Sequence, residues 1–414
     1  RGTFQTRRAG LFDFQAGYQN RAFGSNGFYA AYNPEQWEHT STALASLRWQ
    51  QSVGRFTFGA SASYRKNFDR YDWTRGTALN RHNTDNVGAR LWGDLAWAGG
   101  VTTLGGDYGY NHIFSTNLGF KLPEPHGDYT HADSRHTGNI WLRHAKRWRR
   151  FDASASAGVS LTPYGTSALW SLSAGYAPAA GLRLEAGAWQ SMRLPTFTDL
   201  YYTSPAQINN LDLTPEHAVT YRLGVDYLKR SWNLSAQAYY RSGRDIIDWV
   251  WREDMGSKWH SEQTSSLDTF GIELAGGYTV SEGFLRRVTL SYGYITTDRN
   301  ADVIAKSAMD FMRHKAALAV EVHFLRRMSL ALTGSVYDRN GSYTHYPEPG
   351  NASLNEERDY KPYFLLDGRL QWEKGICRLY VDATNITDTR YCDIGGIRLP
   401  GFWCTGGVTL TIGK

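Results

Sequence analysis

The sequence predicts an all-β fold, a transmembrane antiparallel up-and-down β-barrel of about eighteen strands. Three observations carry this. Apolar and polar residues alternate along segments of about ten residues. In Ser231 to Arg241, Trp232, Leu234, Ala236, Ala238 and Tyr240 share one face, while Asn233, Ser235, Gln237, Tyr239 and Arg241 share the other. Short turns and long polar connections take turns from Leu11 to Ile412. Finally, aromatic residues make up 14% of the chain, with 26 Tyr and 15 Trp, the side chains that favour a membrane–water interface.

The first strand is expected at Leu11–Gln19, with Phe12, Phe14, Ala16 and Tyr18 on one face. A long loop follows from Arg21 to Thr40, and the next two strands join at Ser52-Val53-Gly54-Arg55. A second long loop is expected from about Asn67 to Asn86. Strands near Val87–Trp97 and Thr102–Ile113 meet at Gly99-Gly100, and a third loop covers about Ser115 to Arg135. Further tight turns fall near Lys146–Arg149, Ala177–Gly181, Lys229–Ser231, Val280–Phe284, Leu325–Arg327 and Glu373–Gly375. Longer connections fall near Pro163–Thr166, Pro195–Glu216, Asp245–Ser266, Asp298–Arg313, Asp338–Tyr360 and Asn385–Gly401. In outer-membrane barrels the short turns are periplasmic and the long loops extracellular, so the last strand, Thr405–Ile412, runs inward. No linker or shift in composition divides residues 1–414, which read as one barrel domain.

At 414 residues the chain exceeds the usual single-core domain. No apolar run reaches the 18 or more residues that a membrane-spanning helix needs. That rules out helical spans only, because half of every barrel strand faces a polar lumen. The net charge is +6, and Lys and Arg collect in the tight turns, as in Lys146, Arg147, Arg149 and Arg150, or Arg286 and Arg287. At turn spacing they read as headgroup contacts or a solvated rim. A nucleic-acid site would need a basic patch with stacking residues on one surface, so no nucleic-acid partner is expected.

His126, Asp128, His131, Asp133 and His136 crowd one loop and could bind a divalent metal. They show no zinc-ligand spacing, so a hydrated polar loop is the favoured reading, and no metal or cofactor is expected. No G-x-S-x-G elbow and no H-E-x-x-H helix appears, so no enzyme activity is expected. Of the three cysteines, Cys392 and Cys404 flank the last loop and could bridge; whether they do is open at this point. Asn385 and Asp388 read as turn formers. Aromatic rings gather in the long connections: Phe23, Phe28, Tyr29, Tyr32 and Trp37; Tyr201 and Tyr202; Trp249, Trp251 and Trp259. Flat rings offer apolar area at little entropic cost, which suits a large, flat, partly apolar ligand. Phe28, Tyr29, Tyr201, Tyr202, Trp249 and Trp251 are therefore the candidate ligand-binding residues. Packing within the loops is the alternative for each ring.

Several stretches resemble one family. Ser191-Met192-Arg193-Leu194-Pro195, Asp199-Leu200-Tyr201-Tyr202 and Leu213-Thr214-Pro215-Glu216 are similar to the R-x-P…LY…L-x-P-E signature of TonB-dependent receptor barrels. Asn385-Ile386-Thr387-Asp388, Tyr391, Asp393-Ile394-Gly395 and Pro400-Gly401 look alike too. Residues 16–29, Arg244-Asp245-Ile246-Ile247-Asp248-Trp249 and Asp338-Arg339-Asn340-Gly341-Ser342-Tyr343 are similar to cobalamin-receptor-like (BtuB-like) members from Bacteroidetes. The resemblance covers essentially the whole chain, and the order and spacing of the motifs carry it. It implies active transport of a large scarce ligand, cobalamin or another corrinoid, across the bacterial outer membrane. A siderophore or other metal chelate, or a passive porin-like channel, is the alternative. It also implies a contact with TonB through a plug domain, and a surface lipoprotein that caps the extracellular loops. Family barrels have twenty-two strands and an N-terminal plug, so the plug and about four first strands are expected outside this chain. The end, Ile412-Gly413-Lys414, lacks the terminal aromatic residue usual in the family.

Overall fold

A strand that is apolar on one face and polar on the other is stable only as part of a sheet that separates two environments. The computed structural model of the chain arranges almost all of its residues that way. It describes residues 1–414 apart from 7, 26, 31, 252–253, 255, 257, 300–303, 306–310, 349–353 and 412–414.

The strands in chain order are β1 (Gly2–Thr6), β2 (Gly10–Gly24), β3 (Trp37–Val53), β4 (Phe56–Thr74), β5 (Thr77–Trp97), β6 (Gly100–Ser115), β7 (Phe120–His126), β8 (Tyr129–Trp148), β9 (Phe151–Thr162), β10 (Gly165–Ala179), β11 (Leu182–Arg193) and β12 (Gln207–Ile208). There follow β13 (Glu216–Lys229), β14 (Trp232–Trp251), β15 (Trp259–Thr279), β16 (Leu285–Arg299), β17 (Ile304–Ala305), β18 (Met312–Phe324), β19 (Met328–Arg339), β20 (Ser342–His345), β21 (Glu356–Asp359), β22 (Tyr363–Lys374), β23 (Cys377–Thr384) and β24 (Trp403–Leu410). A five-residue helix, α1 (Phe197–Tyr201), lies between β11 and β12. One sheet holds 22 of these strands, and β20 and β21 form a separate pair. Three of the 22, β7, β12 and β17, are short pieces in the long connections. The other nineteen form the wall, each antiparallel to the next. Among the described residues β1 pairs only with β2 and β24 only with β23.

The register sorts side chains into two populations. On β11, Leu184, Ala186 and Ala188 stand opposite Val225, Leu223 and Tyr221 of β13 and share the outer face with them. Leu223 is 66% exposed and Leu91 68%, exposure that only lipid makes tolerable for so many large apolar side chains. The alternate residues face inward and pair their charges. The Arg183 guanidinium lies 2.7 Å from Asp152 and 2.6 Å from Glu185, and Arg222 reaches Glu185 at 3.5 Å.

Aromatic belts bound the outer apolar band. At the tight-turn end Phe151 stacks on Tyr176 at 4.3 Å, and Trp232 meets Tyr278 at 4.7 Å. Eight residues up β14, Tyr240 stands in one row with Tyr221 and Phe270. Eight steps are about 26 Å along a strand, and a tilt of about 40° makes them about 20 Å along the membrane normal, most of an apolar band of about 25 Å. The upper belt uses one device twice. Tyr108-Gly109-Tyr110 faces His136, with Tyr108 Oη 2.8 Å from His136 Nδ1 and the Tyr110 ring 4.9 Å away. Tyr292-Gly293-Tyr294 faces His314 in the same way, at 2.9 and 4.9 Å.

On the inner face one cross-strand row alternates glycine with tryptophan: Gly59, Trp92, Gly105, Trp141 and Gly158. Each indole lies where its neighbour lacks a side chain. A Cβ on Gly59 would sit 2.0 Å from Trp92 Cζ2, and one on Gly105 would sit 2.3 Å from Trp141 Cζ2. Trp141 Nε1 donates to Asp107 at 3.0 Å, and the Arg48 guanidinium caps Trp92 at 5.2 Å.

Several sequence expectations change. The longer connection expected near Pro163–Thr166 is a tight turn between β9 and β10, and that expected near Asp245–Ser266 is largely the paired ends of β14 and β15. The strand Gly2–Thr6 precedes the expected first strand and raises the wall from about eighteen to nineteen. The loop expected over Asn67–Asn86 is a continuous hairpin of β4 and β5, closed by Arg75-Gly76, with Gly76 at φ 92°. The loop expected over Ser115–Arg135 is largely β7 and the start of β8. In both cases the strands leave the lipid and go on pairing in water. Both faces then become polar, and the alternation that marks a strand disappears.

Replacing Gly59 or Gly105 with Val forces an indole off the wall. We expect a loss of about 1–3 kcal/mol for each, with a shift in tryptophan emission, read from urea unfolding in detergent micelles. A Gly59→Val protein with unchanged midpoint and emission would contradict the packing described.

Candidate ligand vestibule

The outward-facing ion pair Lys66–Asp85, 3.0 Å long, marks where the outer surface stops being apolar. Above it β4, β5, β6, β8, β14 and β15 stand clear of the membrane and carry the long connections.

The connection from β11 to β13 is tied down by charge. Thr196 caps α1: Asp199 N–H donates to its hydroxyl at 3.0 Å, and Thr196 N–H donates to the Asp199 carboxylate at 2.9 Å. Arg193 bridges Asp199, at 3.3 Å, and the buried Glu216, which also accepts the Ile247 N–H at 2.8 Å. The Pro195 carbonyl, fully buried, accepts from Arg135 at 2.5 Å. Leu200, Leu213 and Ile247 form a small buried core, with Tyr164 and Tyr201 packed against it. The R-x-P…LY…L-x-P-E residues are therefore the framework of one knot that fastens the loop to β8, β13 and β14. A second knot holds the last loops. Arg339 is only 10% exposed, bonds Asp393 at 2.6 Å and lies over the Tyr360 ring. The Tyr360 hydroxyl accepts Gly395 N–H at 2.8 Å, and Tyr343 covers Gly396, whose φ is 72°. Asn385, at φ 48°, accepts Thr389 N–H, and Asp388 accepts Phe402 N–H, both at 2.9 Å, as turn formers do.

These knots bring aromatic rings from separate connections together. Phe28 meets Tyr29 edge-on at 5.1 Å, and Tyr29 meets Tyr71 of β4 at 4.8 Å. Tyr202 and Trp249 are perpendicular at 6.5 Å. Beside them Tyr32 packs on Trp73 at 6.0 Å and on Tyr346 at 5.6 Å, which links the first long loop to the β20–β21 pair. Phe28 and Tyr29 thus form one ring cluster with Tyr71, and Tyr202 and Trp249 form a second. Tyr201 is placed differently: its hydroxyl donates to Asp133 at 2.8 Å and its ring lies 5.4 Å from Phe120. Trp251 donates its indole N–H to the Gly256 carbonyl at 2.6 Å, within its own hairpin. Tyr71 and Trp73 were missed because they fall in the stretch read as loop. The period-two run Asp69, Tyr71, Trp73 was the available signal.

A polar floor adjoins the rings. Tyr29 donates to Glu38 at 3.0 Å. Asp69 stands opposite His82 across the β4–β5 hairpin. Its Oδ1 and the Tyr71 hydroxyl are buried with no hydrogen-bond partner among the described residues. Burial, and then the charge of Glu38, push the Asp69 carboxyl up to about 6. Burial, reinforced by Tyr202, pushes Tyr71 up to about 12. Tyr29 is raised by burial and by Glu38. His82, 2.8 Å from the Ser115 hydroxyl, is pushed down to about 4 by burial and is neutral at pH 7.

The His and Asp residues of the third connection disperse. His126 stacks on Phe114, Asp128 pairs with Arg81, His131 meets Thr130, Asp133 accepts from Tyr201, and His136 belongs to the outer belt. Among the described residues no three His, Cys, Asp or Glu side chains gather as a metal-binding group. All three cysteines are free thiols, including Cys392 and Cys404.

The family described as TonB dependent receptor-like, beta-barrel, matches residues 1–386. The chain belongs to this family. Like its members, it is an outer-membrane protein, and that family consists of transporters and receptors rather than enzymes. Among solved structures it is similar to the copper transporter OprC, with a TM-score of 0.75 and 14% identity over 99% of this chain and 70% of that one. It is also similar to the ferric enterobactin receptor of Pseudomonas aeruginosa, at 0.73 and 14% over 99% and 69%, and to the FrpB iron transporter of Neisseria meningitidis, at 0.74 and 9% over 99% and 71%. At these identities the likeness shows the fold. The vitamin B12 transporter BtuB of Photobacterium profundum is 26% identical over 134 residues, which is 32% of this chain and 21% of that protein.

Glu216→Ala leaves the Ile247 N–H unanswered and Arg193 with Asp199 alone. We expect about 1–3 kcal/mol of lost local protection over residues 196–216 in hydrogen exchange, the barrel strands being unaffected. Asp69 titrates higher in the folded protein than in the open chain, so the hairpin's stability is full below about pH 4 and falls as pH rises through about 6. Hydrogen exchange of β4 and β5 should show that trend, and Asp69→Asn should remove it.

Proposed function

We propose that the protein imports a large, scarce, partly apolar ligand across the outer membrane, and that the ligand is cobalamin or another corrinoid. The observation that carries this reading is the set of aromatic clusters at the mouth, where the loop rings Phe28 and Tyr29 meet Tyr71 of β4 and the loop ring Tyr202 meets Trp249 of β14. Such rings suit a broad ligand with an apolar face. The adjoining acceptors, Glu38, Asp69 and Tyr71, suit amide N–H donors around the rim of a corrinoid. They would repel a multiply anionic ferric chelate. The BtuB similarity supports the same choice.

The inward Arg, Asp and Glu side chains make a polar wall through which a hydrated ligand can pass. In this proposal the two unpaired edges, β1 and β24, are joined by about three further strands, which bring the nineteen to twenty-two, and a plug domain occupies the lumen. An unpaired strand edge in lipid leaves several kcal/mol unmet per backbone group. The plug makes the contact with TonB that powers release, and a surface lipoprotein caps the loops and hands over ligand.

Titration calorimetry of the complete receptor with cyanocobalamin tests the ligand. Binding should weaken about tenfold or more in Tyr202→Ala and in Trp249→Ala. No heat at high micromolar cyanocobalamin, together with binding of ferric enterobactin, would replace the corrinoid with a siderophore. Large steady conductance of the reconstituted receptor would replace active import with a passive channel.

A further inference from the structure

The membrane-facing surface of β8–β13 is concave. In the row Ala153, Ala174 and Ala186, three adjacent strands present only methyl groups, and one pair higher Ala155 and Ala188 flank Leu172, which stands at the hollow's upper edge. Larger side chains close it: Trp148 toward the tight turns, Tyr221 and Leu223 on the far side. The depression encloses about 830 Å³, within the range of about 300–1,000 Å³ typical of ligand clefts, and its lining is almost wholly apolar. Acyl chains must enter this hollow for its methyl groups to recover their dispersion contacts.

Positive charge stands at one end. Lys146 shares the row of Ala153, and its ammonium lies 5.3 Å from the Trp148 ring. Arg149 and Arg150 form the adjoining turn, with Arg150 bonded to the Pro178 carbonyl at 2.8 Å. Among the described residues none of these three cations is in an ion pair, while the nearest acid, Asp152, is taken by Arg183 on the inner face. A long amine that can reach along the wall to the interface, beside an indole, suits a phosphate at headgroup depth.

We propose that this face holds one anionic diacyl phospholipid, its tails in the alanine hollow and its phosphate at Lys146 with Arg149 and Arg150. The occupant is committed by charge complementarity: apolar tails match the hollow, and a single negative group matches the cationic end. A zwitterionic lipid brings its own ammonium beside the phosphate and so meets the cationic end less favourably, and a second copy of the chain would bring the same cations against each other.

The test uses protein purified from membranes in mild detergent, stripped of lipid, and titrated with phosphatidylglycerol or phosphatidylcholine, with bound lipid counted by native mass spectrometry. We expect one phosphatidylglycerol per chain, at least fivefold preferred over phosphatidylcholine. Lys146→Gln should lower that preference about fivefold. Ala186→Phe fills the hollow and should abolish retention, while Ala62→Phe, on the lipid face of β4, should leave it unchanged. Equal retention of the two lipids by the unaltered protein, or equal effects of the two Phe variants, would overturn the proposal. So would a dimer of lipid-stripped protein that Ala186→Phe disperses, because the face would then join two copies. Should Ala186→Phe fail to fold, Lys146→Gln decides, and an unchanged preference overturns the assignment.

Discussion

Backbone pairing inside lipid is the constraint on which the rest of this structure depends. No water is available there to satisfy an N–H or a carbonyl, so the chain crosses as strands hydrogen-bonded to their neighbours. The meander of nineteen wall strands follows from that requirement, and so does the expulsion of every irregular segment to one end or the other. Side chains are then sorted by register alone. One step in a strand separates Leu184 on the lipid face from Glu185 in the lumen, and a slip by one residue would exchange them.

Because the ladder fixes register, it also makes precise cross-strand packing possible on the polar side. The alternating glycine and tryptophan row of the inner wall needs each Trp opposite a Gly, not beside one. The same holds for the two Tyr-Gly-Tyr/His devices on the outer belt, which recur with matching distances on strands far apart in sequence. Beyond the membrane the ladder continues but the environment changes. There the hairpin of β4 and β5 acts as a post, and the knots around Arg193–Glu216 and Arg339–Asp393 fasten the remaining connections to such posts. Buried, charge-assisted bonds suit this purpose, since a loop without an apolar core must be held by directional contacts. The aromatic mouth is the result, and its unanswered acceptors at Asp69 and Tyr71 are affordable only in a place where a partner can arrive.

The same wall therefore serves two solvents and carries a distinct chemistry toward each. Rings and acceptors at the mouth face water, and a hollow with a cationic end faces lipid. Neither disturbs the other, since strand geometry keeps them on opposite sides of a sheet one residue thick.

The sequence by itself determined the class of fold, the face each residue of the membrane-crossing segments takes, and the side on which the long connections emerge. All three rest on a period of two, which is local. Trp232 to Tyr240 could be sorted without any knowledge of neighbours. It also marked Phe28, Tyr29, Tyr201, Tyr202, Trp249 and Trp251 as candidates, because rings in long polar connections stand out. Only the tertiary structure decided which rings meet. Tyr71 joins Tyr29 through a strand that pairs in water, where both faces are polar and alternation is lost. Tyr201, adjacent in sequence to Tyr202, goes to Asp133 because the α1 turn splits the two. Contacts of that kind depend on the pairing of residues tens to hundreds of positions apart, and no local pattern encodes them.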